Sequence, residues 1–225
     1  MKNHLIIKRH SLLLFLILPF VVGCSTDDGD DRYFINPNLE AGCLTLQYPD
    51  MSSSEYVLPW EVGKSYEITG SCNTHGGERA TQRYAYDIDM PIGTKIIASR
   101  AGVVVGVEEK FMNDNGSIHK LNYVFIQHVD GTIARYYHLT INGVLVDLND
   151  QVAQGDIIAL SGSSGNPGYP HLHFDITSEE CIERIELGGN LDIQSYCQTI
   201  AAVFSNTEIH TRGLEIGKYY EAFPY

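Results

Sequence analysis

Pro170-His171-Leu172-His173-Phe174-Asp175-Ile176 alternates polar and apolar side chains without a break. Successive side chains of an extended strand point to opposite faces, so His171, His173 and Asp175 share one face while Leu172, Phe174 and Ile176 take the other. The apolar face anchors such a strand in a core, and the polar face offers two imidazoles to one point. Working outward, short apolar or alternating runs recur at residues 84–89, 95–98, 102–108, 123–128, 132–139 and 156–161, punctuated by glycines and turn residues. Residues 112–117 and Asp130-Gly131 have hairpin or loop chemistry, and Ser161-Gly162-Ser163-Ser164-Gly165-Asn166-Pro167-Gly168 is a glycine-rich loop just ahead of the two histidines. The spacing predicts an all-β, mainly antiparallel domain over 72–178. Ahead of it, 32–71 reads as an irregular lead-in with room for two strands, marked by Asn36-Pro37, Tyr48-Pro49-Asp50 and Leu58-Pro59-Trp60. Behind it, 179–225 reads as a C-terminal extension packed on the domain, with a short helix at 179–185 and strand-like segments at 201–204 and 219–223.

Composition agrees with one domain and its decoration. The chain has 225 residues, 44% of them hydrophobic, with a mean hydropathy of −0.11, which excludes both general disorder and a polytopic membrane protein. Its 21 glycines and 14 tyrosines favour turns and strands over a helical bundle. The net charge is −13. Three of the 15 basic residues, Lys2, Lys8 and Arg9, sit in the N-terminal leader, so its removal takes the charge to −16 against an unchanged 28 acidic residues. Nucleic acid is not an expected partner, because phosphate binding needs a clustered basic surface.

The leader itself has the plan of a secretory signal: a basic start, then an apolar run from Leu12 to Gly23 that is too short to span a bilayer. Val21-Val22-Gly23-Cys24 resembles a bacterial lipobox, in which the cysteine becomes the lipidated N-terminus; an ordinary cleaved signal with a chance cysteine is the alternative. The lipobox reading divides the chain into a signal peptide, 1–23, and a lipidated tether, 24–31. It implies export and membrane attachment through Cys24 in a Gram-negative envelope, at the outer membrane on its periplasmic or surface face. The acidic run Asp27-Asp28-Gly29-Asp30-Asp31 resembles a surface-export signal and equally fits a solvated linker. Cys43, Cys72, Cys181 and Cys197 form no C-x-x-C motif. An oxidising compartment permits disulfides, with Cys43–Cys72 and Cys181–Cys197 the economical pairing among three, and buried free thiols the alternative.

Two histidines spaced by one residue on a strand suit Zn²⁺, which takes imidazole nitrogens at about 2 Å. An H-x-H pattern alone is more often a pair of hydrogen-bonded core histidines. Asp87, in Tyr84-Ala85-Tyr86-Asp87-Ile88-Asp89, lies on the face opposite Tyr86 and Ile88 and adds a hard anionic ligand. Four blocks in order carry a resemblance to the LytM/lysostaphin-type zinc metallopeptidases: YAYDIDMPIGTKIIASRAGVVVGV at 84–107, ARYYHL at 134–139, VAQGDIIALSGSSG at 152–165 and PHLHFDI at 170–176. The resemblance implies the family's β domain, one zinc ion and hydrolysis of the peptide cross-links of bacterial peptidoglycan. It implies Asp87 and His173 as metal ligands, and His138 and His171 as the histidines that move a proton and steady the oxyanion. His171 is assigned to the first role and His138 to the second, an order that could be exchanged.

One position departs from the pattern. The family's first ligand lies four residues before the aspartate, and here that place is Arg83, whose guanidinium has no lone pair for a metal. His75, in Thr74-His75-Gly76-Gly77, is the nearest upstream histidine and is expected to take over as the third ligand, a surface-loop histidine being the alternative. Arg83 also keeps open a second function class, a metal-free regulator or binding protein of the cell envelope on the same fold. A lipoyl-type carrier, suggested by the V-x-x-G-D-x-I turn at 152–158, is excluded because no lysine lies between Lys120 and Lys218 to bear a cofactor.

Overall fold

The structure, a computed structural model, describes residues 46–71, 82–117, 119–178 and 198–225. Among them, eleven strands form two antiparallel sheets: β1 (Ser65–Gly70), β2 (Tyr86–Asp89), β3 (Lys95–Ile97), β4 (Gly102–Glu108), β5 (Tyr123–Gln127), β6 (Ile133–Tyr137), β7 (Leu139–Val144), β8 (Gln151–Val152), β9 (Ile157–Ser161), β10 (His171–Thr177) and β11 (Tyr219–Glu221). The large sheet runs β11-β1-β2-β10-β6-β5-β4-β8, and the small one β3-β9-β7. The fold is all-β, as the alternating patterns require; the one helical element described is a 3-10 turn at Met51–Ser53.

The core lies between the two sheets. Tyr86, Ile88, Val104, Ala134, Tyr136, Leu172, Phe174 and Ile176 from the large sheet meet Ile96, Leu139, Ile158 and Ala159 from the small one. These are the apolar halves of the alternating strands, so each even-numbered core residue of β2, β6 and β10 leaves its odd-numbered neighbour on the opposite face. The flanking segments complete this core: Leu58, Trp60 and Ile68 come from the N-terminal side, and Ala202, Phe204, Leu214, Tyr220 and Ala222 from the C-terminal side. β1 lies inside the stretch read as irregular, yet it bonds β2 on one side and β11 on the other. The strand expected at 219–223 appears as β11; residues 200–204 form no strand and instead bury Ala202, Val203 and Phe204. The helix expected at 179–185 falls outside the described residues.

The run at 132–139 is not one strand. β6 ends at Tyr137, and His138 takes a left-handed conformation, φ 60°, before β7 begins. Positive φ is uncommon outside glycine, and where a non-glycine residue adopts it the surroundings must hold it there.

Candidate metal and catalytic site

On the face of the large sheet opposite the core, strand register assembles the site. β10 is flanked by β2 and β6, with His173 opposite Asp87 on one side and Tyr137 on the other, while His171 faces Asp89. Asp87, His171 and His173 are all buried. The Asp87 carboxylate accepts a hydrogen bond from His173 Nδ1 at 2.9 Å and lies 3.4 Å from His171 Nε2.

His138 joins them because of its backbone. Strict alternation would send its side chain to the core with Tyr136; the left-handed residue breaks the alternation, so Tyr137 and His138 serve the same face while Leu139 returns to the core. The His138 ring then sits 4.7 Å from that of His171 and 6.1 Å from that of His173, centroid to centroid. Its Nδ1 donates to the Ser164 carbonyl at 2.8 Å, and His171 Nδ1 donates to the Tyr169 carbonyl at 3.1 Å. A carbonyl oxygen only accepts, so each ring carries its proton on Nδ1 and keeps the Nε2 lone pair. Burial, with His171 and His173 alongside, pushes the His138 imidazole down to about 3. The glycine-rich loop that orients His138 is itself fixed: Ser163 N donates to Asn113 Oδ1 at 2.8 Å, Asp114 N to Ser163 O at 2.6 Å, and Asn122 N to Ser164 Oγ at 2.9 Å.

Nitrogen atoms of His138, His171 and His173 all lie within 4.8 Å of one another. Three imidazoles beside a carboxylate, all buried, make a donor set that fits a borderline divalent cation. The electrostatics point the same way. Burial disfavours a charged His173, but hydrogen bonds to Asp175 and Asp87 outweigh it and its pKa is pushed up to about 9. A pocket that draws a proton so strongly between two carboxylates is suited to a cation in the proton's place.

Asp87, His138, His171 and His173 are thus brought together. His75, Cys24, Cys43, Cys72, Cys181 and Cys197 lie outside the described residues. The Arg83 guanidinium lies over the Tyr84 ring, 5.2 Å from its centroid. Sequence reasoning did not single out Arg135, which pairs with Asp175 beneath His173; the i+2 spacing put Asp175 on the histidine face, but only the β6–β10 register, Asp175 opposite Arg135, reveals its partner. Nor did it find the Ser164 and Tyr169 carbonyls, because any residue type can supply one.

Residues 81–183 match peptidase family M23, and the chain carries an M23 domain over that stretch. An uncharacterized metalloprotease of Buchnera aphidicola subsp. Baizongia pistaciae is 33% identical over 181 residues, covering 78% of this chain and 44% of the relative. Peptidoglycan DD-endopeptidase ShyA of Vibrio cholerae is 37% identical over 130 residues, 58% of this chain and 26% of ShyA. Lysostaphin of Staphylococcus simulans is 33% identical over 98 residues, 44% of this chain and 18% of lysostaphin. The chain therefore spans less than half the length of these relatives.

Proposed function

We propose that the protein is a zinc-dependent endopeptidase that hydrolyses the peptide cross-links of cell-wall peptidoglycan. The observation that carries this reading is the convergence of Asp87, His138, His171 and His173 in one buried pocket inside an M23 domain. The substrate class is supported by the DD-endopeptidase activity in the name of ShyA. Asp87 and His173 would hold the ion, with His75 as third ligand. The chain leaves β1 beside Asp87, since Gly70 pairs with it, and His75 follows five residues later, about 17 Å of extended chain at most.

When bound, zinc supplies Lewis-acid polarisation of the scissile carbonyl and makes water acidic at its open position. The remaining work falls to the two rings that present Nε2 to the pocket. His138, neutral and donating from Nδ1 to Ser164, has only a lone pair to offer at Nε2, and it takes the proton of the attacking water. His171 Nε2 lies 3.4 Å from the Asp87 carboxylate, on a ring 4.7 Å from that of His138; it receives that proton, steadies the developing oxyanion with it and passes it to the leaving amine. This is the exchanged order of the two roles, preferred because His171 Nε2 stands 3.4 Å from the carboxylate that would bind the ion; the Nδ1 hydrogen bonds of the two rings are alike.

The basic, apolar leader and Val21-Val22-Gly23-Cys24 support export and lipid attachment at Cys24. The deciding experiment is digestion of purified sacculi followed by mass spectrometry of the muropeptides, alongside zinc analysis of the same preparation. Cleaved cross-links and about one equivalent of zinc are expected. Intact cross-links with no zinc retained after reconstitution would instead establish the metal-free regulator.

A further inference from the structure

Beneath His173 the same sheet face carries a second, wholly buried charge pair. Arg135 Nε donates to Asp175 Oδ1 at 2.6 Å and Arg135 Nη2 to Asp175 Oδ2 at 2.8 Å, with both side chains fully inaccessible. Asp175 Oδ2 has a further lone pair, and His173 Nε2 lies 3.3 Å from it. The opposite nitrogen of that ring, Nδ1, meets Asp87. Tyr137 packs on both members of the stack: its ring lies 5.6 Å from that of His173, edge-on, and under the Arg135 guanidinium at 5.5 Å. The order Asp87, His173, Asp175, Arg135 therefore runs through one imidazole, and strand register fixes it from both sides.

We propose that Asp175, locked by Arg135, is the positioning residue that orients His173 for metal binding. By accepting from Nε2–H it keeps that proton in place and leaves Nδ1, the nitrogen beside Asp87, as the one that gives up its hydrogen to a metal ion, and it stops the ring from turning about its bond to Cβ. A carboxylate free to rotate would hold the imidazole loosely, and the two bonds from Arg135 remove that freedom. The inference rests on the reading of His173 as a metal ligand.

A purely structural role makes a different forecast. If Asp175 only neutralised Arg135, replacing both by apolar residues would leave the metal site intact, since buried ion pairs are often replaceable in this way. The test compares two full-length double variants, R135M/D175L and R135M/D175N, with the wild type. Neither leaves a buried charge, and only the second keeps an oxygen that can accept from His173. Zinc affinity is read by competition with a chromogenic chelator, and the d–d spectrum of the cobalt form reports ligand geometry. R135M/D175L is expected to bind zinc about 10- to 100-fold more weakly with an altered cobalt spectrum, and R135M/D175N to recover most of the loss. Wild-type affinity in R135M/D175L overturns the proposal. Should that variant not fold, NMR of the wild-type cadmium form decides: coupling of the metal to His173 Nδ1 with a protected proton on Nε2 is expected, and coupling to Nε2 overturns it. A wild type that binds no metal would sink the ligand reading itself, a result distinct from either.

Discussion

Gly70→Ala should disable the metal site while adding a single methyl group. Gly70 pairs with Asp87 across β1 and β2, and a Cβ built on it would stand 2.5 Å from Asp87 Oδ2, 2.8 Å from its Cγ and 2.9 Å from its Cβ. Ordinary contact begins at 3.4 Å. The carboxylate must therefore retreat by about 1 Å, and because Asp87 Cβ is also too close, rotating the carboxyl group alone does not relieve the clash. Metal ligands tolerate displacements of about 0.2 Å, so a shift several times larger should cost on the order of 10- to 100-fold in zinc affinity. Stability should fall by about 1–3 kcal/mol, as for an overpacked interior, leaving a folded protein. Chelator competition measures the first quantity and urea denaturation of the metal-free protein the second. A Gly70→Ala protein with wild-type zinc affinity would refute the claim that Asp87 is held in place by the bare backbone opposite it.

Other substitutions separate the roles of the remaining residues. His138→Ala and His171→Ala should each lower kcat by about 10²- to 10⁴-fold with zinc content unchanged, whereas His173→Ala should lose the metal; zinc analysis beside a sacculus assay distinguishes them. Gly162→Ala would drive a methyl group into the backbone of Leu139 and Thr140, next to His138, so activity should fall more steeply than the melting temperature. Acid should also loosen the far end of the sheet. Burial raises the Asp130 carboxyl, but hydrogen bonds from Arg100 and Thr132 outweigh it and hold it down to about 2, against 3.8 for an unperturbed aspartate. Its contribution is present above pH 4 and lost as pH falls towards 2, so the stability gap between wild type and Asp130→Asn should close over that interval. The effect is small because Asp130 is half exposed, and it should shrink with added salt in urea titrations.

The architecture was legible wherever the alternating pattern was unbroken. His171 to Ile176 gave its strand directly, because core-facing residues occupy every second position, and Gly102 to Glu108 was legible as a short valine-rich run opened by a glycine. β1 was not located, although the lead-in left room for two strands: Ser65-Tyr66-Glu67-Ile68-Thr69-Gly70 carries one fully buried aliphatic residue, Ile68, and the strand is stabilised by partners 17 to 20 and about 150 residues away. His138 was found as a residue but not as a conformation. Nothing in Arg135-Tyr136-Tyr137-His138-Leu139 announces a left-handed backbone, which is imposed by the carbonyl of Ser164 and the turn into β7. Arg135 belongs to the same class, since an arginine in a strand reads as exposed until its cross-strand neighbour is known.

The sheet order has a practical consequence for anyone preparing the catalytic part alone. The stretch that matches the peptidase family, 81–183, omits the strand that flanks β2 and the one beyond it, along with Trp60, Ile68, Phe204 and Tyr220. A fragment trimmed to those limits would present the Asp87 strand as a raw edge with an unsealed apolar wall behind it, inviting edge-to-edge aggregation. Expression boundaries should therefore follow the hydrogen-bonded neighbours rather than the limits of family likeness.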